Sequence, residues 1–151
     1  MTPDETAAEI AEIIAEAAAL PLPDAAYAVW RARYRLDRIE GRPTDEQVRI
    51  FCAMSPAEQS AQMRHDRDHA QDGPIFPHLK AAHPHADDAD IKQAISAAVR
   101  FEDACFKYFV HDGTDYWERC VNAVARAEKE NPFYLESTYR LAANDVAYYN
   151  K

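Results

Sequence analysis

A chain of 151 residues in which 48% are apolar is long enough for one folded domain with a single hydrophobic core. Only 3 residues are glycine and alanine is abundant, which argues against a turn-rich β fold and favours helices. The net charge of −9 disfavours direct binding to nucleic acid or to anionic membranes, because like charges repel. The sequence predicts one all-α domain over residues 1–151.

Helix-start signals recur in the first half of the chain. Three residue pairs have the spacing of a capping box, in which each side chain bonds the other residue's backbone: Thr2 with Glu5, Thr44 with Gln47, and Ser55 with Glu58. The first helix is predicted to end before Pro21. Asp24 is predicted to open a second helix that runs to about Glu40, with Gly41 as its C-cap.

The second half begins with an irregular stretch and continues with three helices. Three prolines between residues 73 and 87 predict an irregular Pro/His-rich loop there, with a helical turn around His78 to Ala82 as an open alternative and no long element. Asp87 or Asp88 caps the next helix, which Gly113 ends, and Thr114 or Asp115 caps another. The last helix follows Asn131-Pro132. Short connections predict antiparallel neighbours in a bundle of six to seven helices.

The three cysteines, Cys52, Cys105 and Cys120, are an odd number and form no C-x-x-C pair. Two of them lie in apolar helical stretches, where a free thiol packs as a small apolar side chain. The acidic N-terminus has neither the basic region nor the apolar run of a signal peptide or a membrane span. Reduced thiols and a cytoplasmic location are therefore expected.

Histidines are the first candidate functional group. His65 and His69 are four residues apart on a predicted helix, so both lie on one face. His83 and His85, together with His78, follow in the predicted loop. Imidazoles and nearby carboxylates suit a divalent metal such as zinc, whereas the alternative is a solvated helix face with ion pairs. The chain has no metalloprotease or di-iron signature, and no cofactor other than this metal is predicted.

A stripe of arginines is the second candidate: Arg31, Arg35, Arg38 and Arg42 recur every three or four residues. Guanidinium groups match phosphate and carboxylate ligands. The first helix, however, carries glutamates with similar spacing, namely Glu5, Glu9, Glu12 and Glu16. The favoured interpretation is that the two stripes pair across a helical hairpin and help to fix its register.

Glu102 is the third candidate, because it falls on the same helical face as Ile95, Ala98, Cys105 and Phe109. A carboxylate in apolar surroundings has a raised pKa and can act as an acid or a base. The alternative is a glutamate at the border of the apolar stripe that pairs with Arg or Lys. The second interpretation is favoured.

Aromatic residues crowd the last third of the chain, and three of them are candidates for an interface: Tyr134, Tyr148 and Tyr149.

The sequence favours a non-enzymatic regulator, adaptor or inhibitor that binds another protein. In one version the partner is a basic, nucleic-acid-binding protein, and in another it is a second copy of this chain, which makes a homodimer. The alternative function is a metal- or small-ligand-binding helical protein, or an enzyme, that uses the histidines.

Overall fold

The computed structural model describes residues 2–41, 43–111 and 115–150. These ranges contain nine α-helices, one 3₁₀ turn over Ala70–Asp72 and no strand. The helices are α1 (Pro3–Ala18), α2 (Leu22–Arg31), α3 (Arg33–Glu40), α4 (Asp45–Ala53), α5 (Pro56–Asp68), α6 (Ile75–Ala82), α7 (Asp88–Lys107), α8 (Tyr116–Glu130) and α9 (Glu136–Tyr149). The all-α prediction is confirmed, and the predicted number of six to seven helices is too low.

One additional helix arises because the predicted second helix divides at Ala32. The ψ angle of Ala32 is −1°, far from the helical value, and α3 begins at the next residue. A helix end leaves carbonyl groups without intrahelical donors. Here the Arg33 side chain donates to the Trp30 carbonyl at 2.9 Å, which stabilises the end of α2.

The other additional helix lies in the segment that was predicted to be an irregular loop. The eight residues Ile75–Ala82 form α6, although Pro77 is among them. Pro77 is the third residue of the helix, where a backbone N–H would have no intrahelical acceptor in any case. Proline spacing alone therefore gave the wrong prediction for this segment.

The hydrophobic core is built around α7, which packs against α2, α6, α8 and α9, while α1 packs against α2 and α6. The apolar face that the sequence predicts for α7 is buried as expected, from Ile91 and Ile95 to Cys105. Phe101, on the same helix, contacts the rings of Tyr27, Tyr134 and Tyr139 at centroid distances of 5.5, 4.8 and 5.6 Å.

Asp24 has a different role from the predicted one. Helix α2 begins at Leu22, so Asp24 lies inside its first turn, where it is buried. Its Oδ1 accepts hydrogen bonds from the Leu135 backbone N–H at 2.8 Å and from the Thr138 hydroxyl at 2.6 Å. Asp24 therefore caps the start of α9 from another helix, which suits a negative charge at a helix N-terminus.

Helices α4 and α5 form what we call the arm, and the remaining helices form the body. All three predicted capping boxes are present, including the two that start α4 and α5. Neither helix of the arm contains a buried residue. Within the described ranges, no helix combines the length and apolar character needed to cross a lipid bilayer.

Candidate functional site

Glu102 is the centre of a cluster of charged and aromatic side chains at the junction of the arm and the body. Its side chain is buried, and two arginines pair with it. Arg33 from α3 donates to both carboxylate oxygens at 3.0 and 3.1 Å, and Arg67 from α5 donates to Oε1 at 2.9 Å. Glu102 is therefore an ion-paired carboxylate, but it is buried, whereas the favoured interpretation placed it at the border of the apolar stripe.

A second carboxylate extends this cluster along α5. Asp103 accepts two hydrogen bonds from Arg67, at 2.6 and 3.1 Å, and one from Arg64 at 3.1 Å. The two carboxylates of α7 thus hold two arginines of the arm. Sequence reasoning missed Arg33, Arg64 and Arg67 because their partners are 35 to 69 residues away and no local pattern connects them.

Trp30 forms the base of the cluster. The Arg33 guanidinium carbon lies 3.9 Å from the centroid of its ring, and that of Arg67 lies 5.4 Å away, both within the range of cation–π attraction. The side chain is only 6% exposed, yet its indole Nε1 has no hydrogen-bond partner among the described residues. Buried donors are nearly always satisfied, so this one is unusual.

A cleft of about 710 Å³, which we call the arm cleft, separates the arm from the body. Trp30 and Arg33 line it from the body, while Arg67, His65 and His69 line it from the end of α5 and the residue that follows. Its volume is within the range of small-molecule sites. The arm cleft therefore combines an indole, guanidinium groups and imidazoles in one cavity.

On the other side of the same arginines lies a smaller cleft of about 340 Å³, which we call the aromatic cup. Both clefts share Arg33, Tyr34 and Arg67. The aromatic cup also includes the two carboxylates of the cluster and two further rings: Glu102, Asp103, Phe106 and Tyr149. The carboxylates thus lie on the cup side of the guanidinium groups.

Three tyrosines beside the aromatic cup form what we call the tyrosine surface. Tyr34, Tyr148 and Tyr149 are 57%, 67% and 56% exposed. The ring of Tyr149 lies 6.5 Å from that of Tyr34 and 5.0 Å from that of Tyr148. Tyr134, which the sequence grouped with them, is instead a core residue, and its burial raises the pKa of its phenol.

The predicted histidine site does not assemble. His65 and His69 lie on one face with stacked rings 4.1 Å apart, and Nδ1 of His69 is 2.9 Å from the His65 carbonyl. His83 instead lies near the Ala17 carbonyl at 3.3 Å, and His85 is exposed. In the part of the chain that the structure describes, no group of three or more His, Cys, Asp or Glu side chains can hold a metal ion.

The arginine stripe is largely paired with carboxylates. Arg35 and Arg38 lie 3.1 and 3.9 Å from Glu9 of α1, as the favoured interpretation expects. Arg31 makes a two-bond pair with Asp145 of α9, at 2.7 and 2.9 Å, and this hydrogen bonding raises the pKa of its guanidinium. Arg42 lies outside the described residues, as do Gly113 and Thr114. The predicted end of α7 at Gly113 is wrong, because the helix already ends at Lys107.

All three cysteines are free thiols, as expected. Cys105 and Cys120 are buried in the body, whereas Cys52 is exposed on the arm. Burial, together with the charge of Glu102, raises the pKa of Cys105 to about 12. A thiol with such a pKa carries almost no thiolate at neutral pH, so Cys105 is not suited to nucleophilic chemistry.

Compared with protein-family models, curated proteins and solved structures, the chain matches none of them. What this all-α protein binds must therefore be inferred from its own residues: the arm cleft, the aromatic cup and the tyrosine surface around one ion-pair cluster.

Proposed function

We propose that this protein is a non-enzymatic binding protein, a regulator, adaptor or inhibitor, that holds another protein on its tyrosine surface. The observation that carries the proposal is that three tyrosines, each more than half exposed, lie in ring contact beside a pair of arginines. Tyrosine, tryptophan and arginine are the residues that contribute most to protein–protein binding.

The side chains beneath the tyrosine surface support it in a fixed arrangement. The Arg33 guanidinium carbon lies 4.6 Å from the centroid of the Tyr34 ring, and Nη2 lies 3.4 Å from its hydroxyl. Phe106 packs edge-on to Tyr149 with a centroid distance of 6.1 Å. Because these rings are already packed against neighbours, they would lose less side-chain entropy when a partner binds.

The charge of the chain favours a basic partner. The net charge is −9, and α1 presents exposed carboxylates to solvent: Asp4, Glu5, Glu12 and Glu16. Such a field accelerates encounter with a positively charged protein. A nucleic-acid-binding protein would meet carboxylates where it otherwise binds phosphates, which fits an inhibitor.

A photo-crosslinking amino acid at Tyr148 identifies what contacts this surface, and the purified partner then allows affinity to be measured. Tyr34→Ala and Tyr148→Ala are each expected to weaken binding at least tenfold. Phe133→Ala is the matched control, because Phe133 is also about half exposed but precedes the 14 residues of α9, about 21 Å from the helix end that carries Tyr148.

Equal losses of affinity in all three variants would contradict the proposal. If the partner is basic, an affinity that does not change with salt concentration would contradict it as well. Crosslinks between two copies of this chain, with a dimer mass by light scattering, would identify a homodimer as the complex. Binding that persists in both tyrosine variants would place the interface elsewhere.

The second candidate function, a metal- or small-ligand-binding protein, has one observation in its favour. The arm cleft has the volume of a ligand site and brings His65 and His69 beside Trp30 and Arg67. Metal analysis of the purified protein, with His65→Ala and His69→Ala as controls, tests the metal version. Stoichiometric metal that is lost in both variants would support it over protein binding.

A further inference from the structure

Trp30 contributes its ring, and not its N–H group, to the arm cleft. The Trp30 indole N–H is buried without a partner among the described residues, and Trp30 lines the cleft. A buried donor without an acceptor costs stability unless something else satisfies it. The Nε1 atom of Trp30 has almost no accessible surface, so a ligand in the cleft would contact the indole ring and not this donor.

The two arginines of the cleft also retain unused donors. Arg33 bonds through Nη1 and Nη2, and Arg67 bonds through Nε and Nη2. Arg33 Nε and Arg67 Nη1 make no hydrogen bond to any described residue. Because Glu102 and Asp103 line the aromatic cup and not the arm cleft, the guanidinium groups separate these carboxylates from the cleft.

Two aspartates line the arm cleft, but they are water-exposed. Asp37 is exposed, and the side chain of Asp66 is 68% exposed and accepts from Gln62. The side chains of Arg33 and Arg67 are only 15% and 25% exposed. Solvent screens exposed charges more strongly than buried ones, so the inner part of the cleft is favourable for a negative group.

The remaining wall of the arm cleft suits a flat apolar body. Trp30 and Tyr34 supply rings, and Met63 and Ile75 supply aliphatic surface. Aromatic ligands pack well against such rings, and a cleft of about 710 Å³ accommodates a small molecule. We propose that the arm cleft binds a small aromatic carboxylate, whose ring packs on Trp30 and whose negative group accepts from the guanidinium donors. This small-molecule site is additional to the proposed protein interface.

The chain offers a direct reporter, because it contains only 2 tryptophans. In a Trp117→Phe background, the single indole N–H signal in a ¹H–¹⁵N spectrum belongs to Trp30. Titration with benzoate is expected to shift this signal in a saturable manner, because the benzoate ring would bind beside the indole. Benzamide, with the same ring and no charge, and acetate, with the charge and no ring, are each expected to bind at least tenfold more weakly.

Arg67→Gln is expected to weaken benzoate binding at least tenfold. Arg64→Gln is the matched control, since Arg64 also pairs with Asp103 but does not line the arm cleft. If Arg67→Gln does not fold, Met63→Glu replaces it, because Met63 is 59% exposed. A carboxylate at position 63 would repel benzoate and should weaken its binding by a similar factor. Tyr148→Ala, which alters the tyrosine surface alone, is expected to leave benzoate binding unchanged.

A Trp30 signal that does not respond to benzoate would overturn this proposal, as would equal affinity for benzoate and benzamide. Unchanged binding in Arg67→Gln or in its replacement would do the same. Each of these results leaves the proposed protein interface intact, because that interface is tested by Tyr34 and Tyr148 variants against a protein partner.

Discussion

The body and the arm are both helical, but different interactions hold them in place. In the body, α7 and its neighbours bury a continuous set of apolar side chains, including Tyr27, Leu79 and Phe101. The arm has helices of 9 and 13 residues and no buried side chain. Isolated helices of this length are marginal in water, so the arm depends on its caps and on contacts with the body.

The contacts that attach the arm are mainly ionic. Arg67 pairs with Glu102 and Asp103, and Arg64 also pairs with Asp103. Within the arm, the Gln59 side chain donates to the Phe51 carbonyl at 3.1 Å and connects the two helices. Exposed ion pairs contribute little free energy compared with apolar burial, so we expect the arm to open at a lower free energy than the body.

This comparison bears on function because the arm forms one wall of the arm cleft. A wall that opens locally gives a ligand access to Trp30, while the body keeps Trp30 and Arg33 in position. A bound ligand that contacts both regions would in turn stabilise the arm. Substitutions that affect the two regions differently therefore test the comparison.

The largest expected effect is in the core of the body. Phe101→Ala removes a ring that is fully buried among three tyrosines and should lower the free energy of unfolding by about 3–5 kcal/mol. Urea denaturation measures the change. Phe51→Ala in the arm is the matched control and should cost less than about 1 kcal/mol, because Phe51 is only partly buried. Equal losses would show that the arm shares the stability of the body.

Glu102→Ala tests the attachment of the arm. It leaves Arg33 and Arg67 partly buried without their shared carboxylate and should cost about 2–3 kcal/mol, less than a fully buried pair because Arg67 is a quarter exposed. Hydrogen exchange should become faster in α5 before it does in α7. Glu46→Ala, which removes an exposed pair with Arg49, should leave both measurements nearly unchanged.

Asp24→Ala tests the cap that α2 supplies to α9. Loss of the two acceptor contacts to Leu135 and Thr138 should lower the free energy of unfolding by about 1–2 kcal/mol. Asp24→Asn keeps a side-chain oxygen and should retain most of that stability. Thermal unfolding compares the two variants, and identical losses would mean that the carboxylate charge alone matters.

The smallest expected effect is a pH dependence from Cys105. Its pKa is about 12 in the folded protein against the usual 9.0, so its burial contributes stability below pH 9 that is lost as the pH rises towards 12. Between pH 8 and pH 10 this loss should be about 1 kcal/mol. Cys105→Ala should reduce the decline, whereas Cys52→Ala on the exposed arm should not. Urea titrations of each variant at pH 8 and pH 10 measure the change in the free energy of unfolding.

Local signals in the sequence predicted the helices well. All three capping boxes form as expected, since each involves residues only three positions apart. The buried face of α7 follows from helical periodicity, which also placed Glu102 on that face, although its burial was the less favoured interpretation. The break at Ala32 and the helix over Ile75–Ala82 were missed, because a side-chain contact and the position of Pro77 within its helix decide them.

The sequence by itself determined the helical class and most helix boundaries, because backbone capping and apolar periodicity act over a few residues. Only the tertiary structure decided which charges meet. Arg33 and Glu102 are 69 residues apart, and Asp24 and Leu135 are 111 apart. Pairing at such distances depends on how the helices pack, and no short-range pattern records it. The arm cleft and the tyrosine surface exist for the same reason.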